Sequence, residues 1–431
     1  MSVLTTLFEF DTVVNAAEGS AANGVPPQVF AWLEAQCLKC REEEGTQWIR
    51  LTQRSGRRAI QFTQYVGVIR APCGYQIEIL PKIAKQSHNT HQARKWLTHM
   101  VQCLLGFRHI QHDEADSHVV RMPLLEVFIQ QFLGAVQTLV KSGLRSDYAD
   151  RQDNLPQCRG KLLLAQHLRL NTVRSDRFFT AHHDFSPDRA ENRLLHTALR
   201  SLLSISQVQE HQQLARELCF IFNDVPYSRS VEHDSQCIRL DHGMRYYERA
   251  LDWALLLLRG TSPLLGHGSM RAPSLLFPME ALFEAYVAYY LPKQLEQGFY
   301  LKTQANSRYL VEHQAKRWFK MKPDFLVKDN NHVPRLLLDA KWKLLDARNK
   351  REKYNISQGD LYQLYAYGQH YLEGKGDMVL IYPKTEAFDQ PLPVFRFPQT
   401  EHLRLWALPF CLEHRKLLLP DAISLTHLFS H

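Results

Sequence analysis

Two acids at predicted strand ends, a lysine two residues beyond one of them, and a third acid on an apolar helix are the residues of this 431-residue chain best suited to catalysis. Pro323-Asp324 opens one predicted strand, and fifteen residues later Asp339-Ala340-Lys341 ends the next. Consecutive strands bring both carboxylates to neighbouring positions near one sheet edge. Mg²⁺ prefers one or two carboxylates together with waters and phosphate oxygens. Asp324, Asp339 and the Ala340 carbonyl can therefore hold one such ion, with Mn²⁺ as an alternative. Lys341 shares a strand face with Asp339 by the period of two, where it can orient an attacking water or help deprotonate it. Phosphodiester hydrolysis calls for this set: a Lewis acid on the phosphate and a positioned hydroxide in line with the leaving oxygen.

Each half of the pattern is common. Pro-Asp recurs at Pro187 and Pro420, and an acid two residues before a lysine recurs at Glu373-Gly374-Lys375. Only Asp324 with Asp339-Ala340-Lys341 puts both halves on consecutive apolar strands, and that spacing by itself also fits two solvated strand-end acids. Upstream, Glu284 lies on a helix otherwise occupied by Leu282, Phe283, Tyr286, Val287 and Tyr290. An acid with so little polar surface around it is usually paired or metal-bound. Glu280, one turn earlier, competes for that role and reads equally as a first-turn acid at a helix N-terminus. Downstream, Gln363 and Tyr367 stand four apart on one face of a predicted helix, a spacing that also fits ordinary helix decoration.

The elements that must position these residues follow from hydropathy. Up to about Ala84 a helical stretch at 29–37 is set among alternating strands at 48–51, 59–62 and 75–80. From 92 to about 258 apolar residues fall three and four apart. This predicts helices at 96–105, 124–139, 192–205 and 246–258, with the Asp-, Asn-, Pro- and Gly-rich segment 147–160 as a loop. The Gly/Pro/Ser-rich stretch 260–273 marks a domain boundary. Beyond it come a helix at 279–290, strands at 309–312, 325–328 and 336–342, a helix at 357–371 opened by a capping box of Ser357 and Asp360, and a strand at 378–382. That order predicts an α/β module with a central mixed sheet. The expected class is thus α+β multidomain: a β-rich N-terminal region 1–90, a mostly helical region 91–260, and an α/β region 274–431 that carries the chemistry.

Composition bounds the rest. Hydrophobic residues at 45% and charged residues at 22% are ordinary for a soluble globular chain and exclude a fibrous or wholly disordered one. Against 44 Asp+Glu stand 52 Lys+Arg, a net +8, a mild bias compatible with a polyanionic partner. The eight cysteines are scattered, as in a reducing compartment, and only Cys37 and Cys40 have metal-ligand spacing, with no second pair to complete a site. Acids stand where a signal peptide needs basic residues, and an apolar run such as 254–258 is too short for a bilayer, so a cytoplasmic location away from membranes is expected.

Taken together, Glu284, Pro323-Asp324, Asp339-Ala340-Lys341 and Gln363-x-x-x-Tyr367 resemble the PD-(D/E)xK nuclease superfamily in its form with a Gln-x-x-x-Tyr helix. Further segments extend the likeness to about 60–400. Tyr65-Val-Gly-Val-Ile69, Ile77-Glu-Ile-Leu-Pro-Lys82-Ile83, Gly143-Leu-Arg-Ser-Asp-Tyr148, Arg159-Gly160-Lys161, Asp188-Arg-Ala-Glu-Asn192-Arg193 and Asp339-Ala-Lys-Trp-Lys343 are similar to the McrC family, the nuclease subunits of McrBC-type, LlaJI-like restriction systems. The resemblance implies a restriction-endonuclease-like C-terminal domain and an endodeoxyribonuclease that acts on double-stranded DNA beside a GTP-hydrolysing AAA+ McrB-like ring. It implies that Asp324, Asp339 and Glu284 bind metal, that Lys341 handles the water, and that Gln363 and Tyr367 support the site or touch the DNA backbone. No Gly-x4-Gly-Lys-[Ser/Thr] occurs in the chain, so the nucleotide belongs to the partner.

Two basic runs bracket the acids. Lys316, Arg317, Lys320 and Lys322 precede Asp324, while Lys343, Arg348, Lys350, Arg351 and Lys353 follow Lys341. Both runs fit phosphate contacts and equally fit solvated loops. Trp318 and Phe319 read as core, and the pairs His88/His91, His109/His112 and His182/His183 read as surface residues. Two other functions fit the same residues: a stand-alone repair or recombination nuclease, and a non-catalytic adaptor that activates an AAA+ GTPase.

Overall fold

Leu336, Leu337 and Leu338 make three successive positions of one strand apolar, the pattern of a strand covered on both faces. The computed structural model describes residues 4–18, 23–42, 47–54, 56–87, 89–104, 122–259, 274–305, 308–398 and 400–420. In it the strand Pro334–Ala340 pairs antiparallel with Phe325–Asp329 and parallel with Gly376–Pro383. It is central to a seven-stranded mixed sheet in the order Phe299–Thr303, Phe325–Asp329, Pro334–Ala340, Gly376–Pro383, Thr400–Cys411, Phe395–Phe397, with Lys416–Leu417 also beside Thr400–Cys411. A parallel neighbour requires a crossover, which the helix Gln358–Tyr371 supplies. The helix comes so near the sheet at Gly368 that an added Cβ would lie 2.5 Å from Met378 Sδ. The expected mixed α/β module is present. Its capping box is not: the Asp360 amide donates to the Ser357 carbonyl at 3.1 Å and not to its hydroxyl, and the Asp360 carboxylate accepts from Lys343 Nζ at 2.7 Å.

The chain divides into two compact units, 1–114 with 276–431, and 115–275. In the first, the strands Leu4–Phe8, Gln76–Leu80 and Tyr65–Arg70 lie side by side, the first pair parallel and the second antiparallel. Glu78, buried in this sheet, is held by Arg94 at 2.7 Å through both oxygens. Arg94 belongs to the helix Thr90–Leu104, which packs against the helix Met279–Tyr290. The N-terminal segment and the C-terminal sheet therefore belong to the same unit. The expected boundary at 260–273 lies outside the described residues.

In the second unit the helices Leu124–Ser142, Ala190–Ile205 and Arg245–Arg259 turn their apolar stripes toward one another, with Gln209–Ile221 against the first two. The loop expected at 147–160 is not one. Its first nine residues form the strand Asp147–Leu155, paired along its whole length with Phe178–Ser186. Asp and Asn are poor strand formers because they bond local backbone, but a full partner strand satisfies that backbone, leaving Asp147, Asp150 and Asp153 in water while Asn154 pairs with the Asn171 side chain at 2.8 Å. Asn192 ties two of the sequence motifs together, donating to the Arg145 and Pro187 carbonyls at 2.9 and 2.8 Å while its own oxygen accepts from the Tyr247 hydroxyl. The reading of all six histidines as surface residues fails at His182, which is buried. Its neighbour His183 is exposed and pairs with Asp150, and His88, His109 and His112 lie outside the described residues.

Candidate active site

Asp324 precedes the strand Phe325–Asp329, and Asp339 is the last residue but one of the adjacent antiparallel strand, with Phe325 opposite Leu338. This register brings the two acids together at one sheet edge: Asp324 Oδ2 accepts from the Ala340 amide at 2.8 Å. Asp339 is 1% exposed. Lys341 Nζ stands 2.5 Å from Asp339 Oδ2 in an ion pair, and beyond that contact neither Asp339 oxygen accepts a hydrogen bond. Buried carboxylates are ordinarily satisfied, and such an exception marks a strained or functional position. Asp377, in the same sheet, shows the ordinary case: it takes Arg404 at 2.9 and 2.6 Å and the Trp406 indole at 2.7 Å.

The helix Met279–Tyr290 directs Glu284 toward the same place. Glu284 accepts from Gln304 Nε2 at 3.2 Å, and the Gln304 amide donates to the Asp324 carbonyl at 2.8 Å, so one residue links the helical acid to the strand acid. Burial raises Glu284 above the usual carboxylate range and Asp339 adds to it, with Gln304 and Lys341 opposing. Burial likewise pushes Asp324 up to about 8, reinforced by the charges of Asp339 and Glu284. Asp339 is raised by burial against the pull of Lys341. For Lys341, burial acts downward, but the facing carboxylates Asp339 and Asp324 outweigh it and hold the ammonium above its ordinary value. Glu280, the competing acid, is exposed and acts on Glu9 and Lys82.

Among the described residues no three Asp, Glu, His or Cys side chains form a ready-made metal cage. Asp324 and Asp339 with their hard oxygens fit a cation that takes one or two carboxylates and keeps its waters, and the Asp339 carboxylate, touched only by Lys341 at Oδ2, has capacity left for it. On the crossover helix, Gln363 Nε2 donates to the Tyr367 hydroxyl at 2.9 Å, so the pair expected to share a face does so. Of the cations, Lys343 is engaged with Asp360, Lys316, Arg317, Lys320 and Lys322 lie on or just after the exposed strand Lys316–Met321, and Arg348, Lys350, Arg351 and Lys353 are exposed in the segment after Lys341. Trp318 and Phe319 are not core: they are 46% and 69% exposed, because their strand pairs only with Arg308–His313 and stands off the main sheet.

Sequence reasoning missed the brace behind the lysine. Trp342 Nε1 donates to Glu9 Oε2 at 2.9 Å, the Lys82 amide donates to the same oxygen at 2.9 Å, and Lys82 Nζ donates to the Trp342 carbonyl at 3.1 Å. Lys82 and Trp342 each lay within a recognised motif, whereas Glu9 carried no signal. Burial pushes the Glu9 carboxyl up to about 6, Lys82 and Trp342 resisting. The folded chain then keeps a proton between pH 4.5 and 6 that the unfolded chain releases, so this contribution is full below 4.5 and lost as pH rises through 6. In thermal melts Glu9→Gln is expected to gain about 2 kcal/mol on the parent between pH 4.5 and pH 7.5. A stability difference that stays constant over that range would refute a buried-acid cost at Glu9.

The profile of the family described as McrBC 5-methylcytosine restriction system component matches residues 60–383. No curated protein matches the chain. Two solved structures are similar in fold. A chain of the half-complex from the tetradecameric assembly of Thermococcus gammatolerans McrB AAA+ hexamers with bound McrC has a TM-score of 0.70 at 20% identity, covering 95% of this chain and 95% of that one. A chain of the Thermococcus gammatolerans McrBC complex has a TM-score of 0.51 at 19% identity, covering 68% of this chain and 89% of that one.

Proposed function

Because the chain belongs to the family of McrBC 5-methylcytosine restriction system components, as an McrC-type member, we propose that it is the Mg²⁺-dependent endodeoxyribonuclease subunit of a cytoplasmic anti-phage restriction complex, cutting double-stranded DNA beside a GTP-hydrolysing McrB-like AAA+ ring. The observation that carries this reading is the meeting of Asp324, Asp339 and Lys341 at one sheet edge, with the buried Asp339 carboxylate held only by its ion pair to Lys341. In this reading the C-terminal sheet is a PD-(D/E)xK nuclease. The N-terminal and helical regions serve the partner and raise its GTPase rate.

Asp324 and Asp339, with Glu284 and the Ala340 carbonyl, are the groups that would hold Mg²⁺ or Mn²⁺. Bound there, the ion would neutralise phosphate charge and lower the pKa of a water. Lys341, kept protonated by Asp339, orients a water or a phosphate oxygen as a cation, and it would have to lose its proton before it could act as a base. Gln304 fixes Glu284 toward the strand acids, and Gln363 with Tyr367 supports the site from the helix. The reading is tested by assembling the chain with its AAA+ partner, GTP and plasmid DNA. Linear product is expected with Mg²⁺, and cutting at an undiminished rate in excess EDTA would overturn the assignment.

The exposed cations after Lys341 carry a separate expectation. Replacing Arg348, Lys350 and Arg351 with Ala should weaken duplex binding equally across sequences and flatten the plot of log affinity against log salt by about 0.9 per lost phosphate contact. A parental slope would make the segment a solvated connector.

A further inference from the structure

The strands Arg308–His313 and Lys316–Met321 form a hairpin that the main sheet does not explain. Its turn, Gln314-Ala315, has φ of +49° and +59°, the twist that favours two-residue hairpins. The base of the ribbon runs beside the helix Gln358–Tyr371, but every residue from 310 to 320 is exposed. Leu310, Val311, Trp318 and Phe319 nevertheless place apolar side chains along it, at 44, 44, 46 and 69% exposure. Phe319 is held at φ +55°, a conformation that L-residues other than Asn and Asp rarely adopt. An isolated two-stranded ribbon with both faces in water is marginal on its own, and conspicuous exposed apolar residues mark contact surfaces.

Both feet of the ribbon stand at the carboxylates. One strand follows Gln304, which touches Glu284 and the Asp324 backbone, and the other ends at Met321, three residues before Asp324. The Tyr371 hydroxyl, 3.2 Å from the carbonyls of Ala305 and Met321, pins the two feet together, and Met321 is itself buried in the core of the sheet. Around the apolar residues lie five cations, Arg308, Lys316, Arg317, Lys320 and Lys322, against the single carboxylate of Glu312.

We propose that this hairpin is a DNA-distorting ribbon, its cations on phosphates and its Trp318–Phe319 pair wedged against the bases beside the bond to be cut. A two-stranded ribbon fits a DNA groove, and apolar wedges open base steps in exchange for a wider contact. The charge complements a polyanion, and the rigid attachment to Gln304, Met321 and Tyr371 sets the wedge at a fixed distance from Asp324 and Asp339. The inference rests on the nuclease reading of the site.

The test uses the full chain assembled with its AAA+ partner and a radiolabelled duplex. With benzoylphenylalanine installed at Phe319, irradiation is expected to join the chain to DNA, both in the parental background and in Asp339→Ala. Cross-linking to the partner protein alone, or no cross-link to DNA, would overturn the proposal. Trp318→Ala with Phe319→Ala should lower cleavage at least about tenfold while GTPase stimulation and the far-ultraviolet spectrum stay parental, since stacking on a base is lost and no core contact is. Parental cleavage, or loss of GTPase stimulation alongside, would also overturn it. If Asp339→Ala cut DNA normally, the site assignment would fall and the DNA cross-link at position 319 would remain as an independent result.

Discussion

Asp339→Ala should abolish DNA cleavage, by about a thousandfold or more, while the protein melts at or above the parental temperature. The loss corresponds to about 4 kcal/mol of transition-state stabilisation, within what a metal-binding carboxylate supplies. The unusual half of the prediction is the stability. Asp339 is buried and its pKa is raised by that burial despite the Lys341 ion pair, so desolvation outweighs the pairing and the folded state bears the charge at a cost that alanine removes. Lys341, freed of its ion pair, is partly exposed and can rehydrate. GTPase stimulation of the AAA+ partner should survive in this variant. Cleavage in Mg²⁺ at the parental rate would remove Asp339 from the site. A melting temperature lowered by many degrees would instead make the Asp339–Lys341 pair a structural one.

A fragment of residues 276–431 should fail to fold cooperatively, although it contains the whole seven-stranded sheet and every proposed catalytic residue. Without residues 1–114 the helix Met279–Tyr290 loses the helix Thr90–Leu104 that covers it, and Trp342 loses both Glu9 and Lys82. Trp342 is 3% exposed and packs at a tilt on Phe283 with ring centres 5.3 Å apart, so stripping its neighbours opens apolar surface worth several kcal/mol, on the order of a domain's net stability. Circular dichroism on heating should show a broad, shallow change. Supplying residues 1–114 as a second chain should restore a sharp transition, whereas a sharp transition in the fragment alone would show that the sheet is self-sufficient.

Most of the candidate site was legible because its signals are local. A strand alternates every two residues and a helix repeats near four, so Asp339 with Lys341, and Gln363 with Tyr367, could be paired by counting, and both pairs meet in the structure. Local signals also misled. Three aspartates and an asparagine between 147 and 155 suggested a loop because composition does not reveal a partner strand about thirty residues on. Trp318 and Phe319 suggested core because an aromatic residue is usually buried, and nothing near them in sequence says that their hairpin leaves the sheet. Ser357 and Asp360 had capping spacing, but the Asp360 amide bonds the Ser357 carbonyl and its carboxylate bonds Lys343.

By itself the sequence determined which chemistry is available here, since residue type and order along consecutive strands are covalent facts and strand and helix periods are properties of the backbone. Tertiary structure alone decided which groups are left needing a partner and which are satisfied. It left Asp339 with a lysine alone and gave Asp377 an arginine and an indole, placed Gln304 between Glu284 and Asp324, and set Glu9 against Trp342 across 333 residues of chain. The physical reason is that desolvation and hydrogen bonding depend on what surrounds an atom in space, and for a buried carboxylate those surroundings come from elements that the local pattern does not encode.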